Sequence, residues 1–323
     1  MTLSTFAFLH PLKPAQLEVY RAALPDVEFV GAKDTSLPPG LERAQGAALS
    51  WDGPEIDDVL ARAPRLRWLQ QRGAGIDRIV TDRLLASDVV LTNGSGNHAI
   101  NIAEHVIGLM LAFARQLPEL LRSQDARRWQ PPKASSLFEL SGQTLAVIGA
   151  GALGRAVGER AAAFGMRVHG VRRTAAGAPL PAGFARMAPM DALDDALRDA
   201  DHVVITLPLT AETRHLFAAE RFAAMKRGAY LYNVGRGAIV DSADLLAALR
   251  SGRLAGAGLD VTDPEPLPAE SPLWGEPGVI VTSHSSGLTP RSYERYEALL
   301  LENLRRFARG SALLNVVDKA RGY

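Results

Sequence analysis

Short apolar runs alternate with helical patterns along most of the chain. Residues 4–9 (STFAFL) read as a buried strand and residues 14–24 as a helix, with further strands predicted at 47–50, 66–70 and 89–91. Strands separated by helical segments predict a parallel α/β layer. Residues 101–116, NIAEHVIGLMLAFARQ, are apolar nearly all round, which predicts a helix buried on several sides that bridges two domains. Residues 117–142 then lose apolar periodicity and carry Trp129, Pro131 and Pro132, as expected of an exposed arm or a loop covered by another subunit.

From Thr144 the alternation returns, with strands predicted at 145–148, 167–171, 202–207, 230–233, 256–261 and 279–283. That rhythm predicts a doubly wound sheet. One connecting helix is well punctuated: Asp241 as N-cap, Asp244 in the first turn, Leu245, Leu246 and Leu249 on one face, and Gly252 to close it. Thr289-Pro290 opens a helix expected to run to about Arg309, and a last strand is predicted at 313–317. The sequence shows no internal repeat and no low-complexity tract.

Composition narrows the function classes. A length of 323 residues with 47% apolar and 22% charged residues is too hydrophobic for disorder and long enough for two cores. Lys plus Arg (36) against Asp plus Glu (35) leaves a formal net charge of +1, so nothing marks a nucleic-acid or membrane partner and small molecules are expected instead. The absence of cysteine excludes disulfides, thiolate metal sites and cysteine nucleophiles. MTLSTFAFLHP has no positive charge ahead of its brief apolar run, and a cytoplasmic protein is expected.

The chemistry begins at Gly149-x-Gly151-x-x-Gly154, which follows an apolar strand and opens an alanine-rich helix. In that context the first glycine permits a tight turn, the second lets backbone approach a pyrophosphate, and the third lets helix pack on strand. A dinucleotide is the predicted ligand. At the end of the next strand, 18 residues past Gly154, an NAD-binding unit carries an acid for the ribose hydroxyls; here stand Arg172 and Arg173, followed by Thr174. Two guanidinium groups suit a 2′-phosphate, so NADP(H) is the expected cofactor and NAD(H) the alternative.

Three polar segments follow strands of the second block: NVGRGAIVD (233–241), GLDVTDPEPLP (258–268) and VTSHSSG (281–287). Ligands of such sheets bind beyond the carboxyl ends of the strands, so these loops are expected to converge. Arg236 suits a substrate carboxylate and its neighbouring carbonyl, His284 suits proton delivery, and Glu265 suits holding the imidazole tautomer. Together they describe carbonyl reduction by hydride. The bland readings are a structural histidine, a solvated Glu265 between two prolines, and an Arg236 paired with Asp241. His10, His98, His105, His169, His202 and His215 lack a comparable constellation, and no metal site is expected.

These residues resemble the D-isomer-specific 2-hydroxyacid dehydrogenases. The likeness rests on IGAGALGRAVGERAAAFGMRV, the stretch PLTAETRHLF from Pro208, NVGRGAIVD, GLDVTDPEPLP and His284-x-x-Gly287, in family order, and it spans almost the whole chain. It implies two Rossmann-like α/β domains with doubly wound parallel sheets. A discontinuous, flavodoxin-like substrate domain (1–98 and 288–323) would carry an inserted cofactor domain (99–287), with the bridging helices as hinges. It implies that Arg236 binds carboxylate and carbonyl, that Glu265 supports the imidazole, and that His284 is the general acid in reduction and the base in oxidation. Gly149, Ala150, Gly151, Ala152, Leu153, Gly154, Leu207, Pro208, Thr213 and Val234 would line the dinucleotide, with Asp260 at the nicotinamide carboxamide. In QRGAGIDRI (71–79), the N–H groups of Ala74 and Gly75 would meet the substrate carboxylate. Substrate size is expected to depend on the region of Trp51, residues 72–76, Asn97 and His98. A homodimer through the cofactor domains is the family habit. The departure from much of the family is Arg172 in place of the acid.

The reading is therefore an NADP-preferring reductase of small 2-keto acids, yielding D-2-hydroxy acids, with glyoxylate and hydroxypyruvate as first substrates. A different class of protein shares such folds: corepressors in which a dinucleotide switches assembly without turnover. The intact Arg236, Glu265 and His284 set favours an enzyme, as does the lack of long disordered tails. Within enzymes the rival is an NAD-dependent phosphoglycerate dehydrogenase, for which an appended regulatory domain would be expected, and formate oxidation ranks lower.

Overall fold

The computed structural model describes residues 3–34, 36–50, 53–173 and 179–322. The chain divides into two compact units, Met1–Asn97 with Thr289–Tyr323, and His98–Leu288. In the first unit, β1 (Thr5–Phe8), α1 (Pro14–Ala23), β2 (Glu28–Gly31), β3 (Gly46–Leu49), α2 (Ile56–Arg62), β4 (Trp68–Gln71), α3 (Asp82–Leu85) and β5 (Val90–Thr92) follow one another. All the strand pairings are parallel, in the order β2-β1-β3-β4-β5. That order reverses direction at β1, the strand position where ligands of flavodoxin-like sheets bind.

The second unit opens with α4 (Ala99–Ala114) and α5 (Leu117–Asp125). It continues through β6 (Thr144–Ile148), α6 (Ala152–Ala163), β7 (Arg167–Val171), β8 (Phe184–Ala188), α7 (Leu193–Arg198), β9 (His202–Ile205) and α8 (Ala219–Ala224). β10 (Ala229–Asn233), α9 (Ser242–Arg250), β11 (Leu254–Leu259) and β12 (Val279–Val281) complete it, and α10 (Pro290–Ala308) returns the chain to the first unit. The sheet order is β12-β11-β10-β9-β6-β7-β8, parallel throughout. Its central strands are buried on both faces, which is why they read as continuous apolar runs rather than alternating ones. α4 buries Ala103, Val106, Ile107, Met110 and Phe113, in keeping with its all-round apolar sequence.

Both predicted caps form. The Asp241 carboxylate accepts from the Ala243 and Asp244 N–H groups at 3.0 Å, and the Thr289 hydroxyl accepts from Ser292 N at 3.1 Å. Four elements depart from the sequence reading. β2 and β8 are edge strands whose mixed exposure hides the strand period. The strand expected at 313–317 is reduced to an isolated antiparallel bridge between Thr92 and Val316, because Asn315 turns into the left-handed region at φ 55° and interrupts the extended run. The arm at 117–142 carries a helix, α5, separated from α4 by left-handed Gln116 (φ 55°); Trp129 is fully exposed beyond it. No helix among the described residues is long and apolar enough to cross a membrane.

One buried polar group sets a pH limit on this fold. His202 is fully buried against the Tyr230 and Tyr232 rings, its Nδ1 is 3.0 Å from Tyr232 Oη, and its Nε2 reaches Gln143 Oε1 at 2.5 Å. Burial, which penalises the charged form, lowers its pKa from 6.5 to about 4. A base with a depressed folded-state pKa contributes full stability above the unfolded value and loses it as the pH falls between the two values. The thermal unfolding midpoint should therefore drop as pH falls from 6.5 toward 4, the His202 contribution amounting to about 3 kcal/mol by the lower end. His202→Phe should reduce that acid slope, and an unaltered slope would contradict the assignment.

Candidate active site

The glycine turn between β6 and α6 shows three different demands. Gly149 adopts φ 104°, where a side chain would be strained, and a Cβ there would lie 3.0 Å from Leu207 N. A Cβ on Gly154 would come within 2.3 Å of the Gly149 carbonyl oxygen, so this position is fixed by the approach of helix to strand. A Cβ on Gly151 would meet no atom within 4 Å, so neither space nor φ explains that glycine internally. What lies beside it is the N-terminus of α6, which has no acidic residue in its first turn and no side-chain cap. Such a terminus attracts an anion through its N–H groups and dipole. Ala150 is buried, Ala152 is exposed and Leu153 half-buried at the same turn.

Arg172 follows β7 directly and donates its backbone N–H to Ala188 O at 3.1 Å. Its Nε and Nη2 are buried and have no hydrogen-bond partner among the described residues. Buried guanidinium donors without an acceptor are costly, and a phosphate at this strand end would satisfy them. Arg173 beside it is exposed. Thr174 lies outside the described residues, as does Trp51. On the other side of the glycine turn, Leu207 and Val234 are buried and Pro208 is half-buried. The Thr213 hydroxyl donates to Pro208 O at 2.8 Å and accepts from Thr210 N at 2.8 Å, which fixes the 208–213 turn. The residues present thus fit a dinucleotide.

The three polar loops end neighbouring strands of the same sheet. At the end of β10, Asn233 is buried and clasps the turn: its Nδ2 donates to Arg236 O at 2.8 Å and its Oδ1 accepts from Gly235 N at 3.1 Å. Arg236 is half-buried and its Nη1 donates to Gly235 O at 2.9 Å. A Cβ on Gly237 would stand 1.9 Å from Thr262 O, so the arginine loop lies flush on the loop that follows β11. Asp241, a candidate partner for Arg236 in the sequence, serves as the α9 N-cap.

His284 follows β12, and its Nδ1 lies 2.5 Å from Glu265 Oε1. Both are partly exposed, with side chains 34% and 27% accessible, so the pair is reachable from solvent. His284 also adopts φ 49°, a left-handed conformation costing about 1–3 kcal/mol for a non-glycine residue. The surrounding turn enforces it: His284 N donates to Asp260 O at 2.8 Å and to Thr282 O at 2.9 Å.

The Asp260 side chain lies beneath that turn and is 2% exposed. Oδ1 accepts from Thr282 Oγ1 at 2.6 Å and Ser285 N at 3.1 Å, while Oδ2 accepts from Ser286 Oγ. Its carboxylate therefore organises the histidine loop.

Sequence reasoning missed the face of α4 that braces the loop. His98 Nδ1 lies 2.9 Å from Gly287 O, Asn101 Nδ2 donates to Ser286 O at 2.7 Å, and His105 Nε2 lies 3.0 Å from Thr282 Oγ1. The signal was present: polar residues at positions 98, 101 and 105 share one face of a largely apolar helix. Read singly, His105 carried no chemistry and His98 only an expected place near the substrate.

In the first unit, residues 72–76 follow β4. Gly73 O accepts from Gly94 N at 2.8 Å and Ala74 O accepts from Asn93 Nδ2 at 2.7 Å, so the loop is pinned by its carbonyls. The N–H groups of Ala74 and Gly75 donate to no other described residue, and Ala74 is exposed. No cluster of three His, Cys, Asp or Glu side chains among the described residues could hold a metal ion.

Residues 107–286 match the family model described as the D-isomer specific 2-hydroxyacid dehydrogenase NAD binding domain. The chain belongs to the D-isomer-specific 2-hydroxyacid dehydrogenase family. It is 36% identical over 285 residues to a glyoxylate/hydroxypyruvate reductase B of Pectobacterium atrosepticum, covering 87% of each chain. It is 32% identical over 264 residues to a D-3-phosphoglycerate dehydrogenase of Methanocaldococcus jannaschii, where the match takes in 81% of this chain and about half (49%) of that longer protein. Among solved structures it is similar to the NADPH-dependent glyoxylate/hydroxypyruvate reductase of Sinorhizobium meliloti in complex with NADP and sulfate. The identity is 29% and the TM-score 0.83, over 99% of this chain and all of the other. The chain is thus a nicotinamide-dependent 2-hydroxyacid dehydrogenase or reductase with two parallel-sheet α/β layers.

Proposed function

We propose that this dehydrogenase reduces small 2-keto acids, glyoxylate and hydroxypyruvate first, to D-2-hydroxy acids with NADPH as the preferred donor. The observation that carries the reading is the 2.5 Å contact of His284 Nδ1 with Glu265 Oε1. Glu265 fixes the tautomer, so that Nε2 faces the reaction as the acid in reduction and the base in oxidation. Arg236 takes the substrate carboxylate and carbonyl, favouring charge on the carbonyl oxygen as it becomes an alkoxide. The Ala74 and Gly75 N–H groups are the further anchors for the carboxylate. The nicotinamide, when bound, supplies the hydride.

The dinucleotide is assigned to the glycine turn and its flanks: Gly149, Ala150, Gly151, Ala152, Leu153 and Gly154 for the pyrophosphate, with Leu207, Pro208, Thr213 and Val234 opposite. Asp260 acts on the nicotinamide side through the turn it organises. Arg172 and Arg173, with Thr174, take the 2′-phosphate. The buried donors of Arg172 support this, and so does the NADPH dependence of the Sinorhizobium relative. The double variant Arg172→Ala with Arg173→Ala should raise KM for NADPH by about 10-fold or more while moving KM for NADH far less. Equal effects on the two cofactors would remove the phosphate assignment. A cytoplasmic homodimer is the proposed assembly, supported by exposed apolar Leu117, Leu121 and Trp129 on and beyond α5.

A further inference from the structure

Arg72 opens the loop whose N–H groups are assigned to the substrate carboxylate, and its guanidinium is held in an unusual way. The group lies 4.2 Å from the centroid of the Tyr293 ring and 5.5 Å from that of Tyr296, both on the first turns of α10. It makes no hydrogen bond or ion pair to any described residue, although it is half-buried. Two aromatic faces thus fix a cation without neutralising it, and the donor edge of the fork remains for an acceptor. The acid adjacent on α10 does not serve: Glu297 accepts from Gln16 Nε2 at 3.2 Å and from Tyr20 Oη.

The surroundings favour a negative partner. His10, at the carboxyl end of β1 where the strand order reverses, has a buried Nδ1 with no hydrogen-bond partner among the described residues. Burial and then the Arg72 charge hold its pKa down to about 4, so it adds no second cation at neutral pH. Arg72 is the charged donor of a part-buried polar corner that begins one residue before the pinned carbonyl of Gly73.

We propose that Arg72, held by Tyr293, is a specificity subsite for a second acidic group carried on C3 of the keto acid, a carboxylate or a sulfonate. This rests on the function proposed above, because it takes the Ala74 and Gly75 loop as the anchor of the first carboxylate. A 2-keto acid whose C3 is a bare methyl, such as pyruvate, leaves the guanidinium without a partner, whereas an acid group on C3 receives charge-assisted hydrogen bonds.

The test compares oxaloacetate, pyruvate and glyoxylate with NADPH for the native enzyme, Arg72→Met, Tyr293→Ala and Tyr293→Phe. The native enzyme should prefer oxaloacetate to pyruvate in kcat/KM by about 10-fold or more, and Arg72→Met should remove that preference by raising KM for oxaloacetate about 10- to 100-fold. Tyr293→Ala should weaken the preference and Tyr293→Phe should retain it, since the ring face is what holds the cation. Equal losses on all three acids, or no preference in the native enzyme, would overturn the subsite. Calorimetry of D-malate against D-lactate on the NADPH complex, where reduced cofactor and hydroxy acid cannot react, reads the same discrimination without turnover. Tighter D-malate binding that is lost in Arg72→Met supports the subsite even if no keto acid is reduced, an outcome that would count against the proposed reaction alone. Equal affinities would overturn the subsite.

Discussion

Replacing His284 with alanine is expected to lower kcat for keto-acid reduction by about 10³-fold, within the usual range of a positioned acid–base group. Dinucleotide affinity should change little, because the glycine turn and Arg172 lie on other strands of the sheet. The loss should be confined to the proton step. His284 is held at Nδ1 by Glu265 and forced into a left-handed backbone by the Asp260 turn, so its imidazole is the positioned acid at the end of β12. Steady-state rates together with fluorescence titration of NADPH check this. A variant retaining more than a tenth of native kcat would remove His284 from proton transfer.

Arg236→Lys is expected to cost nearly as much, about 10²- to 10³-fold in kcat/KM, despite conserving charge. A guanidinium can address a carboxylate and the adjacent carbonyl with one planar fork, whereas an ammonium is a point charge on a flexible stem. The loop cannot adapt to the shorter reach, because Asn233 clasps it through Arg236 O and Gly237 lies 1.9 Å, measured from an added Cβ, from Thr262 O. Both kcat and KM should worsen. A lysine variant within tenfold of native would show that charge alone suffices.

Much of this site was legible in the sequence because its chemistry is local. The fingerprint lies within six residues, and the strand, turn and helix that give it meaning are contiguous. Arg236, Glu265 and His284 each follow an apolar strand, and parallel sheets gather such loops at one edge. The supporting layer was harder to read. Asp260, Thr282, Ser286, Asn101 and His105 meet only after α4 packs on the sheet, and the bond from Asn101 to Ser286 spans 185 positions of sequence. Edge strands β2 and β8 were obscured for a different reason: their exposure follows neighbours that sequence period does not encode. At 313–317, a single left-handed asparagine overrode an otherwise convincing strand pattern.

The central claim is turnover, and the most direct measurement follows loss of reduced-nicotinamide absorbance with glyoxylate and hydroxypyruvate, NADPH against NADH, for the native enzyme and His284→Ala. The native enzyme should turn over, faster with NADPH than with NADH at low cofactor, and the variant should lose nearly all of that turnover. Tight dinucleotide binding with no oxidation by any 2-keto acid would contradict it.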